Sequence, residues 1–243
     1  MKGLYENSDF TYGEYVKILK QFKAEYEDFK LYECGNTLMN RKIYAVVLGN
    51  GKERVLYAGG GGKTEKLTSL LLVRFAQNLC CENKNNGEIC GYSVGELFER
   101  CTLVIVPEIN PDGANSTVTG KNTFDEIFKS EPENTAMIRL CRKADFNKLL
   151  VLRSGSEEIF WDFGKNTPKK SLLQAKMMSA VSDYTMVKYD EPASPGFENL
   201  FVNIFKRPAF TVKAGTKENP LSLSEFDKAY SRLRALLVTG III

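Results

Sequence analysis

Apolar side chains recur along this chain in two rhythms, one helical and one extended. Ahead of the first helical run, Thr11-x-x-Glu14 is a capping box, in which each side chain satisfies a backbone amide near the other. Tyr15, Ile18, Leu19, Phe22, Tyr26 and Phe29 then fall on one helical face, a stripe that reads as core. Phe29 to Cys34 reads as a strand and Gly35 to Arg41 as a turn. Lys42 to Leu48 and Arg54 to Tyr57 flank Asn50-Gly51, and the spacing predicts a hairpin. After a run of glycines, Leu67, Leu70, Leu71, Phe75 and Leu79 predict a helix with Thr64 as its N-cap. A polar loop from Glu82 to Glu88 separates it from a helix capped by Ser93-x-x-Glu96.

The second half repeats the alternation. Thr102 to Val106 and Leu149 to Leu152 have the apolar pattern of buried strands, and Ala209 to Val212 reads as the last strong strand. Pro132 suits the first turn of a helix running through Met137 and Ile138 toward Lys143. Thr167-Pro168 opens another through Leu172, Leu173 and Met177, and Phe197 to Phe205 is a short, mostly apolar helix. Ser222-x-x-Glu225 caps the last, whose apolar face holds Phe226, Tyr230, Leu233 and Leu237. Strands alternating with helices predict an α/β class. With no repeat, low-complexity tract or linker, residues 1–243 read as one domain.

Composition excludes several functions. The apolar fraction of 43% and charged fraction of 26% are those of ordinary soluble proteins. A net charge of +3 falls short of a nucleic-acid footprint, and no basic stretch is interleaved with aromatics. Lys165 and Lys169-Lys170 read as a solvated turn. The six cysteines form no C-x-x-C pair, and neighbours such as Cys80 and Cys81 are too close for ordinary disulfide geometry. No secretory pattern opens the chain, and no run approaches the roughly 18 apolar residues of a membrane span. Reduced thiols and a cytoplasmic protein, away from membranes, are the expectation.

The candidate chemistry centres on Ala58-Gly59-Gly60-Gly61-Gly62-Lys63-Thr64-Glu65, between a strand and a helix. Such a run suits a close approach between backbone and ligand. Gly62-Lys63-Thr64 has the context of a phosphate-binding loop, so a nucleotide binder using Gly59 to Thr64 is one reading. Against it, Tyr57 stands where that motif begins with glycine.

A second reading joins four segments. Gly60 to Glu65 resembles the Gly-x-His-x-x-Glu zinc motif of the carboxypeptidase A-like zinc metallopeptidases, with Gly62 in the histidine's place. Asn110-Pro111-Asp112-Gly113 resembles that family's Asn-Pro-Asp-Gly turn. Leu152 to Trp161 is similar to the His-Ser-x-Gly-Glu-Glu-Ile-Tyr-Trp segment of a bacterial branch, the D-glutamyl-diamino-acid peptidases, with Arg153 in place of the third zinc ligand. Pro208 to Gly215, followed by Asn219-Pro220-Leu221, resembles the strand bearing the catalytic glutamate, and Lys213 stands at that position.

The resemblance implies a mixed, mostly parallel sheet of about eight strands sandwiched by helices. It also implies a zinc site at the C-terminal edge of that sheet, where ligands bind in open α/β sheets. Yet the chain contains no histidine, and a catalytic zinc takes three protein ligands and an open position. Of the ligand positions, Glu65 alone keeps a ligating side chain; Gly62 offers none, and Arg153 is a fixed cation. Lys213, while protonated, cannot act as the base. The interval from Ala114 to Leu152 holds no Asn-Arg pair like the family's substrate clamp, and Arg139 and Arg142 read as solvent-facing.

The expectation is a degenerate, non-catalytic homologue without zinc or another cofactor, binding a peptide of the cell-wall type or a protein partner. Glu65, Arg153, Glu157, Glu158, Trp161 and Lys213 are its candidate ligand-binding residues, and Arg153 or Lys213 is expected to pair with Glu65. An active hydrolase of the same family, using ligands outside these matches, is the alternative.

Overall fold

A computed structural model describes residues 11–60, 65–112, 132–188, 196–215 and 223–243. The first helix, α1 (Tyr12–Glu25), carries the capping box at Thr11 and Glu14, and it buries Tyr15, Ile18, Leu19 and Phe22. Strands β1 (Lys30–Asn36), β2 (Lys42–Leu48) and β3 (Glu53–Ala58) lead to α2 (Lys66–Lys84). The pair β4 (Glu88–Ile89) and β5 (Tyr92–Ser93) forms a small separate sheet before α3 (Val94–Arg100) and β6 (Cys101–Val106). Then come α4 (Pro132–Ala144), β7 (Lys148–Ser154), β8 (Glu158–Phe160), α5 (Lys170–Ser182) and β9 (Thr185–Val187). The order closes with α6 (Phe197–Phe205), β10 (Ala209–Ala214), a 3-10 turn at Leu223–Glu225 and α7 (Phe226–Ile242).

The expected sheet is present. Its eight strands lie in the order β1-β2-β6-β3-β7-β10-β8-β9. The pairs β3/β6, β3/β7, β7/β10 and β8/β9 are parallel, and β1/β2, β2/β6 and β10/β8 antiparallel. Alternation along each strand sends side chains to opposite faces. Tyr57, Ile105, Leu150 and Phe210 join α1, α2, α5 and α7 in the larger core, whereas Leu56, Val104, Leu149 and Ala209 join α4 and α6 in the smaller. Helices on both faces bury the central strands on both sides, which is why their sequences are continuously apolar.

Two sequence expectations need correction. Asn50-Gly51 does not close a hairpin, because β6 lies between β2 and β3. Its glycines serve a close approach instead: a Cβ on Gly51 would lie 1.9 Å from the Arg100 carbonyl carbon, and Gly49 has φ of 71°. The Asn50 amide donates to Phe98 O at 2.9 Å, pinning the crossing to the end of α3. The N-cap position of α2 is Glu65 rather than Thr64, which lies outside the described residues together with Gly62 and Ser222. Helix α5 turns Leu172, Leu173 and Met177 outward while burying Ser171, Gln174 and Ser182. Arg139 and Arg142 face solvent as expected. Among the described residues, no helix is long and apolar enough to cross a membrane.

All six cysteines are free. Burial pushes the thiols of Cys34, Cys80 and Cys141 up to about 12 and that of Cys101 to about 11, from 9.0. A raised thiol in the folded state binds its proton where the unfolded chain has lost it. These four should therefore cost stability progressively as pH climbs above 9. Mass-spectrometric maleimide mapping at pH 8 should label exposed Cys90 first and these four only on unfolding. In urea melts, Gly51→Ala should lose about 3 kcal/mol through overpacking. Gly95→Ala, inside α3 with Asn83 Oδ1 of α2 3.7 Å from the added Cβ, should gain about 0.5 kcal/mol.

Candidate functional site

Strands β7, β10 and β8 bring the sequence-matched positions to one end of the sheet. In the parallel β7/β10 pair, Arg153 lies opposite Lys213 and Ser154 opposite Ala214. In the antiparallel β10/β8 pair, Glu158 lies opposite Lys213. Arg153 and Lys213 share the sheet face that carries Val151 and Thr211, the face covered by α6. Like charges side by side on neighbouring strands repel. Each is answered by its own carboxylate.

Lys213 Nζ donates to Glu158 Oε2 at 3.0 Å and sits 4.4 Å from the centre of the Phe160 ring, within cation–π range. Its stem runs over Gly155, where a Cβ would come within 2.7 Å of Lys213 Cδ. Glycine at 155 leaves the room that this lysine needs. Arg153 Nε lies 3.5 Å from Glu198 Oε1, and the same oxygen accepts from Thr211 Oγ1 at 2.7 Å. Glu198 is only 3% exposed and sits in the first turn of α6, where the helix macrodipole favours a carboxylate. Sequence patterning does not single it out, because its helix is mostly apolar and reads as core. The available signal was a lone carboxylate on that apolar face, since a buried charge requires a partner.

Glu65 stands apart from both pairs. Its buried Oε2 accepts the Ser154 amide at 2.7 Å and shares the Thr68 hydroxyl, at 3.1 Å, with the Glu65 carbonyl oxygen at 2.6 Å. The expected ion pair from Glu65 to Arg153 or Lys213 is therefore corrected: a backbone amide and a hydroxyl satisfy this carboxylate, while the cations turn to Glu198 and Glu158. Counting Glu158 and Glu198 with Glu65, Arg153 and Lys213 changes the cluster from one net positive charge to one net negative.

Glu157 turns away, adopting φ of 53° and pairing with Arg232 of α7 at 2.7 Å. Trp161 is half-buried against the larger core. Glu157 thus ties the β7–β8 connection to α7, whereas Glu158 faces the cluster. The Asn110-Pro111-Asp112 turn is held from the β1–β2 side: Arg41 Nη1 donates to Pro111 O at 2.7 Å and the Met39 amide to Asp112 Oδ2 at 2.8 Å. Arg41 gave no sequence signal, because it contacts the turn from 70 residues away.

Gly59 and Gly60 approach protein backbone closely. Gly59 O accepts the Ile109 amide, Gly60 O accepts the Asn110 amide, and a Cβ on Gly60 would lie 2.8 Å from Glu108 Cα. Among the described residues, no three His, Cys, Asp or Glu side chains are grouped as a metal site would need. Charged Arg153 and Lys213 can donate hydrogen bonds and attract anions, but neither can accept a proton.

A double-mutant cycle tests the central pair. Glu198→Ala should lose about 2 kcal/mol in chemical denaturation, by removing the carboxylate that Arg153 and Thr211 share. Arg153→Ala should cost a similar amount, and the double variant clearly less than the sum.

Known proteins resemble this chain in sequence and in architecture. The zinc carboxypeptidase family model matches residues 15–125. A gamma-D-glutamyl-L-diamino acid endopeptidase of Lysinibacillus sphaericus is 23% identical, over 96% of this chain and 72% of its own. Bovine thrombin-activatable fibrinolysis inhibitor superposes with a TM-score of 0.79 at 14% identity, covering 98% of this chain and 97% of that one. A metallo-carboxypeptidase from Burkholderia cenocepacia gives 0.70 at 16% identity, over 96% and 69%. In sequence over residues 15–125, and in fold, this chain is thus similar to the zinc carboxypeptidases.

Proposed function

We propose that this chain is a non-catalytic member of that group, a peptide-binding or protein-interaction module in which ion pairs stand at the positions of the metal site. The observation that carries the reading is the pairing of Arg153 with Glu198 and of Lys213 with Glu158, at the positions matched to a zinc ligand and to the catalytic base. These residues do not fit a zinc ion. Glycine at 62 has no side-chain donor atom, Arg153 is a permanent cation, and Glu65 Oε2 already accepts the Ser154 amide.

A peptide with acidic groups is the ligand class that two half-exposed cations at the C-terminal strand edge favour. The relative named for action on gamma-D-glutamyl-diamino acids supports a cell-wall-type peptide as the first to try. The six free thiols support a reducing, cytoplasmic setting. An active hydrolase is the competing reading, favoured by that same relative. A nucleotide binder is disfavoured by the docking of Gly59 and Gly60 onto Pro107–Asn110.

Metal analysis after zinc saturation and desalting should find no stoichiometric zinc in the wild type. Bound zinc, or turnover of a gamma-D-glutamyl-diamino-acid peptide, would sink the non-catalytic reading. Gly62→His/Arg153→His/Lys213→Glu should gain zinc affinity yet melt lower, because it leaves Glu198 without its arginine and sets a second carboxylate against Glu158. ATP should leave the wild-type Tm unchanged.

A further inference from the structure

Helix α5 faces the wrong way for an isolated surface helix. It buries Ser171, Gln174, Ala175, Met178 and Ser182, and it exposes Leu172 (37%), Leu173 (62%), Met177 (44%) and Val181 (47%). Leu173, Met177 and Val181 are spaced four apart, so they form one ridge on the outer surface, with exposed Ala180 beside it. With Lys176 exposed beside the ridge, the outer side still carries the larger apolar side chains and the inner side the smaller polar ones, the reverse of a helix covered only from within.

Its ends are equally unsuited to solitude. The macrodipole favours acids at a helix N-terminus and bases at its C-terminus. Here the N-terminus carries Lys169 and Lys170, with no acid in the first turn and no side-chain cap at Lys169. The C-terminus has no base in its last turn and ends on exposed Asp183, in the left-handed conformation. Among the described residues, Lys169, Lys170 and Asp183 take part in no ion pair.

We propose that this chain forms a homodimer through α5, packed antiparallel on its copy about a two-fold axis at Met177. That arrangement answers both anomalies together. At about 1.5 Å of rise per residue, Lys170 lies about 10 Å before Met177 and Asp183 about 9 Å after it. Each lysine then meets the partner's Asp183 and the last carbonyls of its α5. Leu173 packs on the partner's Val181, and Met177 on its own copy. Self-complementarity of this kind is what a two-fold interface demands. A single helix pair sits at the small end of specific interfaces, below about 1,200 Å², so the dimer is a micromolar one.

Sedimentation velocity across the micromolar range tests this. The wild type should shift from monomer to dimer. Met177→Glu should weaken association at least tenfold at unchanged Tm, Lys170→Glu should weaken it too, and Lys170→Glu/Asp183→Lys should restore it. Under mild oxidant, Met177→Cys should form an intermolecular disulfide at position 177 that the wild type, with its exposed Cys90, does not. A wild type that remains monomeric throughout overturns the proposal, including one that instead captures vesicles or a different protein through this face. So does a dimer indifferent to Met177→Glu, or one whose residue-177 thiols fail to cross-link.

Discussion

Two cations side by side on adjacent parallel strands set the terms for this end of the molecule. The β7/β10 register puts Arg153 directly across from Lys213, and strand spacing is too short for their repulsion to be ignored. Each charge must be neutralised locally. For Lys213 the answer comes from the next strand, where the β10/β8 register delivers Glu158. For Arg153 it comes from above the sheet, where the first turn of α6 lowers Glu198 to within 3.5 Å. Gly155, Phe160 and Thr211 then fit around these pairs, one giving space, one a ring face, one a hydroxyl.

This arrangement also explains why Glu65 is left to hydrogen bonds. A carboxylate inside protein must be satisfied, whether by a cation, a metal or amide donors. The Ser154 amide, projecting from the end of β7, provides such a donor at 2.7 Å. Two cations and three carboxylates at this end of the sheet are thus each satisfied locally. Removing one partner of such a set costs more than the set itself contributes, because the remaining charge is stranded in a poorly solvated place. That asymmetry keeps the pairs together even if their net contribution to stability is small.

The glycines show how one local signal can serve different ends. Asn50-Gly51 has the composition of a two-residue hairpin turn, yet it carries the chain past the end of α3 to a strand that β6 separates from β2. Gly59 and Gly60 look like a ligand cradle, yet they let the chain after β3 lie against Pro107–Asn110. Asn50-Gly51 reads locally as a turn that the placement of β6 rules out, whereas at Gly59 and Gly60 the bare backbone is legible and its approaching partner is not. The partner came from a distant part of the chain. Leu172, Leu173 and Met177 make the converse point: apolar spacing located the helix but not which side faces the core.

Local patterning was enough to specify the α/β class, the capping box of α1, the limits of β2 and α6, and the residue types at the matched family positions. Each depends on neighbours a few residues apart, whose periodicity or backbone chemistry is written directly in order. Strand order, the placement of β6 between β2 and β3, and the short strands β8 and β9 depended on which distant segments pair. The same is true of the counter-charges. Glu198 lies 45 residues beyond Arg153 along the chain, and only the packing of α6 on the sheet makes them neighbours, because ion pairs are chosen by distance in space.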